Sequence, residues 1–269
     1  MINIPIKSRE RLLTGVKRFV PIVKKAKDND INESDTATII SDIMAEVFNY
    51  DKYTELTSEF SVKKTYCDLA VKLDGKPVLL IECKAIGLNL KDDHIRQAVD
   101  YGSNSGVEWI ILTNAVNWRI YKVLFTRPVA HELVYEFDLT TLNLKRQTDL
   151  EMLFYLTKEA LIKPNSKSSL DDFRAQKQIL SKYIIGQILL TESIQDTVRK
   201  YIKRMVPEAR VSNEEIRQVI SEEILKREIL DAEPAADAKK RVAKADKVNS
   251  PRVKKTVPQD INSSKSTEE

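Results

Sequence analysis

Tyr66-Cys67-Asp68-Leu69-Ala70-Val71, followed after a short turn by Leu79-Leu80-Ile81-Glu82-Cys83-Lys84, decides the fold of this chain. The two apolar runs flank Asp74-Gly75, a strong hairpin signal. Thr65 to Leu73 and Pro77 to Lys84 are therefore read as strands. Side chains alternate faces along a strand, so Glu82 and Lys84 share a face and Cys83 points the other way. A carboxylate and an amine then sit together at the end of an apolar strand, where charge is costly unless paired or metal-bound.

Whether Asp68 joins them depends on the hairpin register. A two-residue Asp74-Gly75 loop pairs Leu73 with Lys76 and Asp68 with Ile81, which turns Glu82 away from Asp68. A three-residue loop, with Gly75 left-handed, pairs Lys72 with Lys76 and sets Asp68 opposite Leu80, on the face of Glu82 and diagonal to it. One residue of slip flips the face. The three-residue, bulge-type turn is the expectation.

Outward from the hairpin, the pattern alternates helix and strand. Ser8 to Asp28 carries Leu12, Leu13, Val16, Phe19 and Val20 at helical spacing, with Pro21 set to end or kink the helix. A second helix is expected from about Glu33 to Phe48, with Ile39, Ile40, Ile43, Met44 and Val47 on one stripe. Strands are expected over 53–62, 109–113, 118–123 and 130–137, and a helix over 92–101. The order α-α-β-β-β-α-β-β-β implies an α/β mixed sheet flanked by helices. Past Gln147 the signal is helical over 150–161, 170–190 and 193–205. Ser212-Asn213-Glu214-Glu215 is a capping box opening a helix to about Ile229. From Pro234 the chain lacks aromatic residues and is expected to be disordered. The expected division is 1–145, a sheet domain with its N-terminal helices; 146–232, a helical extension; and 233–269, a disordered basic tail.

Two carboxylates a few ångströms apart, with an ammonium beside them, suit one task. Asp68 and Glu82 can hold a hard cation such as Mg2+ (or Mn2+), which keeps several waters and accepts phosphate oxygens. Lys84 can orient or help deprotonate a water, and the cation stabilises charge on a phosphate under in-line attack. That chemistry is phosphodiester hydrolysis. On Glu82-Cys83-Lys84 alone, an ion pair at a strand end is the better explanation, since such triplets are common.

Asp68, thirteen residues, then Glu82-Cys83-Lys84 resembles the D-(x)n-E-x-K signature of the PD-(D/E)XK nuclease superfamily. Gln97-Ala98-Val99-Asp100-Tyr101 resembles the Q-x-x-x-Y motif that follows it in RecB-like nucleases and in type I restriction enzyme R subunits. Asn32-Glu33 is similar to the Asn-Glu opening the R-subunit N-terminal nuclease domain. Leu112-Thr113-Asn114 with Trp118-Arg119-Ile120-Tyr121 is similar to the strands closing it. The resemblance spans roughly residues 30 to 140 and implies a restriction-endonuclease-like fold. It implies Asp68 and Glu82 as metal ligands, Lys84 as the catalytic lysine and Glu33 as an auxiliary acid ligand. Gln97 would support Lys84 or the DNA backbone, and Tyr101 would hold the helix or touch phosphate. Cys67 stands where the signature proline would be, and no Walker motif or helicase region follows.

The composition narrows the classes further. Six Gly in 269 residues argue against a glycine-rich nucleotide-binding fold, and two Cys exclude a disulfide scaffold and a four-cysteine zinc site. Both thiols are expected to point away from the acidic site. No apolar run approaches the 18 or so residues of a membrane span, and Met1-Ile2-Asn3-Ile4-Pro5 lacks a signal-peptide core; a cytoplasmic setting is expected. The net charge of +4 divides unevenly. Residues 238–255 hold eight basic side chains against one acid, a net +7, which leaves −3 for the rest. Lys63, Lys64 and Arg96 are candidate phosphate contacts, and the 150–230 helices are candidates for self-association or a protein partner. The expectation is a Mg2+-dependent DNA endonuclease acting in restriction or defence. The alternative is an inactive nucleic-acid-binding or adaptor protein on the same fold.

Overall fold

The computed structural model describes residues 2–62, 65–162 and 169–249. They form an α/β architecture around one six-stranded sheet. Helices α1 (Ile6–Asp28) and α2 (Glu33–Glu46) come first. Strands β1 (Leu56–Val62), β2 (Thr65–Leu73) and β3 (Lys76–Cys83) follow. A short 3-10 turn, Asp92–Ile95, leads into α3 (Arg96–Ser105). Strands β4 (Trp109–Thr113), β5 (Asn117–Leu124) and β6 (Ala130–Asp138) complete the sheet. The strands lie in chain order, all antiparallel except β3 against β4, which α3 connects as a crossover.

Alternation along the strands feeds two apolar layers. Leu79, Ile81 and Cys83 of β3 join Leu12, Val16, Ile40, Ile43 and Trp118 on one face. Leu80 joins Ala98, Val99, Tyr101 and Leu112 on the other, under α3. Strand β4 is buried along its whole length, as expected of a strand covered on both faces. Pro21 neither ends nor breaks α1. It sits on the exposed side, where the missing N–H costs one backbone bond and leaves the buried stripe of Leu12, Val16, Phe19 and Val23 intact.

Two compact units are distinguished, Met1–Lys177 and Gln178–Glu269. In the first, α4 (Gln147–Phe154), α5 (Lys158–Leu161) and the start of α6 (Ser169–Ile179) add Leu150, Leu153, Phe154 and Phe173 to the larger layer. Phe173 meets Tyr155 at a tilt and Tyr135 edge to face, at 4.6 and 4.8 Å between ring centres. The second unit holds α7 (Lys182–Leu189), α8 (Glu192–Met205), α9 (Asn213–Val219), a π-helical turn Ile220–Ile224, α10 (Arg227–Asp231) and α11 (Glu233–Asn249). The Ser212 capping box forms as read, but the helix it opens yields at Ile220 instead of running on to Ile229. At Gly186 a Cβ would meet Cγ2 of Ile229 at 2.8 Å, so glycine is what lets α7 approach α10. Residues 233–249 are helical instead of disordered, because Ala235 and Ala238 find burial and the stretch is rich in alanine and lysine. Among the described residues, no helix is long and apolar enough to cross a membrane.

Candidate active site

The β2–β3 hairpin does not have the expected three-residue turn. Leu73 pairs with Lys76, so the loop is the two-residue Asp74-Gly75, with φ of 51° and 75°. Both values are left-handed, as a type I′ turn requires. The register then shifts: Lys72 pairs with Pro77, but Val71 pairs with Leu79, leaving Val78 as an extra residue. Pro77 offers no N–H to the ladder, and its neighbour is where the pairing gives way. Beyond this bulge Ala70 faces Leu80 and Leu69 faces Ile81. The pairing ends there, one residue short of Asp68 and Glu82. The bulge lies in β3 instead of the turn, and it supplies a one-residue slip of register.

Asp68 Oδ2 accepts a 2.7 Å hydrogen bond from the Cys83 amide. Lys84 Nζ donates to Glu82 Oε1 at 2.7 Å and lies 3.8 Å from Glu33 Oε1. The Lys84 amide bonds to Thr113 O at 2.9 Å, which anchors the lysine to β4 as β3 ends. Glu33 is the first residue of α2, and Asn32 caps that helix by accepting from the Asp35 amide at 2.9 Å. The Asn32-Glu33 pair is thus one device, with the cap setting where the glutamate projects.

Glu82 is only 4% exposed. Burial pushes its carboxyl up to about 7; the Lys84 hydrogen bond pulls the other way, and the Asp68 and Glu33 charges add to the rise. Burial works against the Lys84 charge, yet its pKa is raised, because the Glu82 hydrogen bond and the charges of Glu82, Glu33 and Asp68 outweigh burial. Asp68, Glu82, Lys84 and Glu33 therefore form one electrostatically coupled group with more acid than base.

The remaining candidates are dispersed around it. Gln97 is exposed in the first turn of α3, whereas Tyr101 one turn on is fully buried. Burial first, and then Cys67, push the Tyr101 hydroxyl up to about 12. Its place in the layer under α3 fits holding the helix. Arg96 is paired with Asp93 at 2.8 Å on the exposed side. Lys63 and Lys64 lie outside the described residues. The two thiols part company: Cys83 enters the larger layer, as expected, but Cys67 packs with Leu80 and Tyr101 in the layer under α3. Its Sγ bonds to Ile81 O and Leu69 O at 3.3 and 3.4 Å, contacts that draw it off the alternation expected from the strand pattern.

Two features escape a reading of the sequence. Asn114 is a clasp: its amide donates to Ile86 O and Leu88 O, and its Oδ1 accepts from the Val116 and Asn117 amides. It ties the segment after Lys84 to the β4–β5 turn. The second is a groove of about 610 Å3 lined by Glu33, Ser34, Thr38, Ser41, Ser58 and Asp68 among others. The small residues recur at helical spacing along α2, opposite its buried Ile40, Ile43 and Met44, a spacing visible in the sequence but without meaning until β1 and β2 supply the other wall.

With this geometry in place, comparison with known protein families gives a match. Residues 40–134 match the family described as type I restriction enzyme R protein N terminus. No curated protein and no solved structure matches the chain. The matched segment includes Asp68, Glu82, Lys84, Gln97 and Tyr101, and begins after Glu33. It runs from the middle of α2 into β6, and so takes in the hairpin and the crossover that build the acidic group.

Proposed function

We propose that this chain is a metal-dependent deoxyribonuclease of PD-(D/E)XK type that hydrolyses phosphodiester bonds in restriction or defence against foreign DNA, in the cytoplasm. The observation that carries this reading is the convergence of Asp68, Glu82 and Lys84 at the end of β3, with Glu82 buried and its carboxyl raised to about 7. The match over 40–134 to a restriction-enzyme segment supports the substrate class.

The donor set fits Mg2+ or Mn2+. Among the described residues no group of three or more His, Cys, Asp or Glu could hold a metal by itself. A hard cation that keeps several waters needs only one or two carboxylates, which Asp68 and Glu82 provide, with Glu33 in reach of Lys84 as an auxiliary acid. Bound there, the cation would supply charge stabilisation for the phosphate and acidify a water. Lys84, an ammonium, would orient that water by donating to its oxygen from the Glu82 side. Asp68, fixed by the Cys83 amide, would keep its second oxygen for the site. Gln97 would steady the backbone of the substrate strand at the mouth of α3.

The test is cleavage of plasmid and single-stranded DNA with Mg2+ or Mn2+, beside Asp68→Ala and Lys84→Ala. Each substitution is expected to slow cleavage on the order of 10³-fold or more, several kcal/mol of transition-state stabilisation. No cleavage by the parent chain, or equal cleavage by the variants, would overturn the enzyme. A second reading is favoured by the closure of the group on itself, since Lys84 already neutralises Glu82 and the Cys83 amide already binds Asp68. On that reading the chain binds nucleic acid, or serves as an adaptor, without cutting. Titration calorimetry with Mn2+ separates the two: heat of binding that disappears in Asp68→Ala favours the enzyme.

A further inference from the structure

Positive charge in the sheet-bearing unit is gathered on one helix. Helix α1 carries eight basic side chains against Glu10 and Asp28, a net +6, whereas residues 29–177 carry 18 basic against 23 acidic, a net −5. Two of the eight serve the fold: Arg11 pairs with Glu159 and Arg18 with Glu46. Lys17, Lys24, Lys25 and Lys27 are exposed, and among the described residues none of them forms an ion pair. Lys17 and Lys24 stand seven residues apart, two turns along one stripe. That stripe lies opposite the buried Leu12, Val16, Phe19 and Val23. Folding does not call for this charge. Lys25 and Lys27, in the last turn, gain from the helix dipole, but Lys17 and Lys24 lie before it, and the first turn carries Lys7 and Arg9 with no acid to offset them.

The turn into α2 brings the end of α1 to the acidic group. The Ile31 amide returns to Ala26 O at 3.4 Å, and two residues later Glu33 lies 3.8 Å from Lys84 Nζ. Asp30 sits so close to Gly87 that a Cβ there would run into its Oδ1, so the turn rests on the segment that follows Lys84. Helix α1 therefore leads away from the site as a rod, rising about 15 Å from Lys27 back to Lys17. The site itself is acidic, since Asp68, Glu82 and Glu33 outnumber Lys84, and Asp28 and Asp30 close the basic run. A polyanion is repelled there and needs positive surface beside it. The lysines are point charges, with no exposed aromatic or amide side chain among them to read a base. The contact they fit is phosphate, in any sequence.

We infer that the exposed basic face of α1, from Lys17 to Lys27, grips the phosphate backbone of DNA beside the Asp68–Glu82–Lys84 group, independent of sequence. This rests on the nuclease reading for DNA as the partner, but the contact can be tested in chelator, without any cutting. Fluorescence anisotropy measures binding of a labelled duplex of about 20 base pairs by the full chain across salt concentrations. Changing Lys17, Lys24, Lys25 and Lys27 together to Gln is expected to weaken binding on the order of 10-fold or more at low salt. The slope of log Kd against log salt is expected to fall by up to about 3.6, at about 0.9 per contact. The same four changed to Arg keep the charge and are expected to bind like the parent. In the parent chain, the duplex is expected to slow acetylation of these four lysines by an N-hydroxysuccinimide ester several-fold, read by mass spectrometry. Unchanged affinity and slope in a Gln variant that circular dichroism shows to be folded overturn the inference. So do Arg variants that bind as poorly as the Gln variant, acetylation rates that DNA leaves unaltered, or a parent chain that binds no DNA. If the Gln variant does not fold, the acetylation rates decide alone. A chain that holds DNA through α1 but never cuts it with Mg2+ sinks the nuclease and keeps the α1 contact. Cleavage with unaltered KM in the Gln variant sinks the contact and keeps the nuclease.

Discussion

Glu82 concentrates the electrostatic tension of the molecule. A carboxyl that is 4% exposed, with Asp68 and Glu33 nearby, ionises against its surroundings even with Lys84 attached. Its pKa rises from 4.5 unfolded to about 7 folded. For an acid whose folded pKa is raised, the folded state binds the proton more tightly. Stability is therefore fully present below about 4.5 and is lost as pH rises through about 7. In chelator, the melting temperature of the parent chain is expected to fall between those two values relative to Glu82→Gln. The difference corresponds to at most about 3 kcal/mol. Added Mg2+ is expected to recover the loss in the parent only, because a cation favours the ionised carboxylate. Parallel melting curves for the two chains across that window would remove Glu82 from the strained group.

At the scale of elements, the site depends on where α2 starts and where β3 bulges. Asn32 caps α2 through the Asp35 amide, so Asn32→Ala is expected to cost about 1 kcal/mol in a denaturant melt. The same substitution should lower cleavage by more than the lost stability explains, because the first turn that presents Glu33 to Lys84 frays. A stability loss with cleavage unchanged would show that Glu33 has no part in the chemistry. The strands β4 to β6 and the helix cap at Ser212 were legible in the residues, because periodicity and turn chemistry are local properties. The turn was not. Asp74-Gly75 is compatible with either loop length, and the bulge at Val78 forms where Pro77 leaves the ladder without a donor while β3 is held to β4 by Leu80 and Ile81. A sequence does not display that competition between two neighbours of one strand.

For the whole molecule, charge is distributed by unit. Helix α11 carries Lys239, Lys240, Arg241 and Lys244 on its exposed side. If these contact phosphate, changing all four to Gln is expected to reduce the slope of log Kd against log salt by up to about 3 for single-stranded DNA, at about 0.7 per contact. Binding to every sequence should weaken alike. An unchanged slope would confine DNA contact to the sheet-bearing unit. The exposed Tyr201, Met205 and Val206 at the end of α8 offer an apolar surface within the 150–230 region proposed for a partner, and a clean monomer in light scattering would exclude self-association through it.

The amino-acid sequence by itself determined the mixed α/β class, the hairpin strands, the sharing of a face by Glu82 and Lys84, and the separation of a basic C-terminal stretch from an acidic remainder. Each of these follows from local rules: the two-residue period of a strand, the conformational demands of Asp-Gly, and the count of charges. Only the tertiary structure decided that Asp68 meets the end of β3 through the Cys83 amide, that Cys67 leaves the expected face, that Tyr101 is buried while Gln97 is exposed, and that α2 forms one wall of a groove. These depend on packing between segments far apart in the chain, where the sheet register set by β4 and the burial of α2 against the larger layer override what any one segment would do alone.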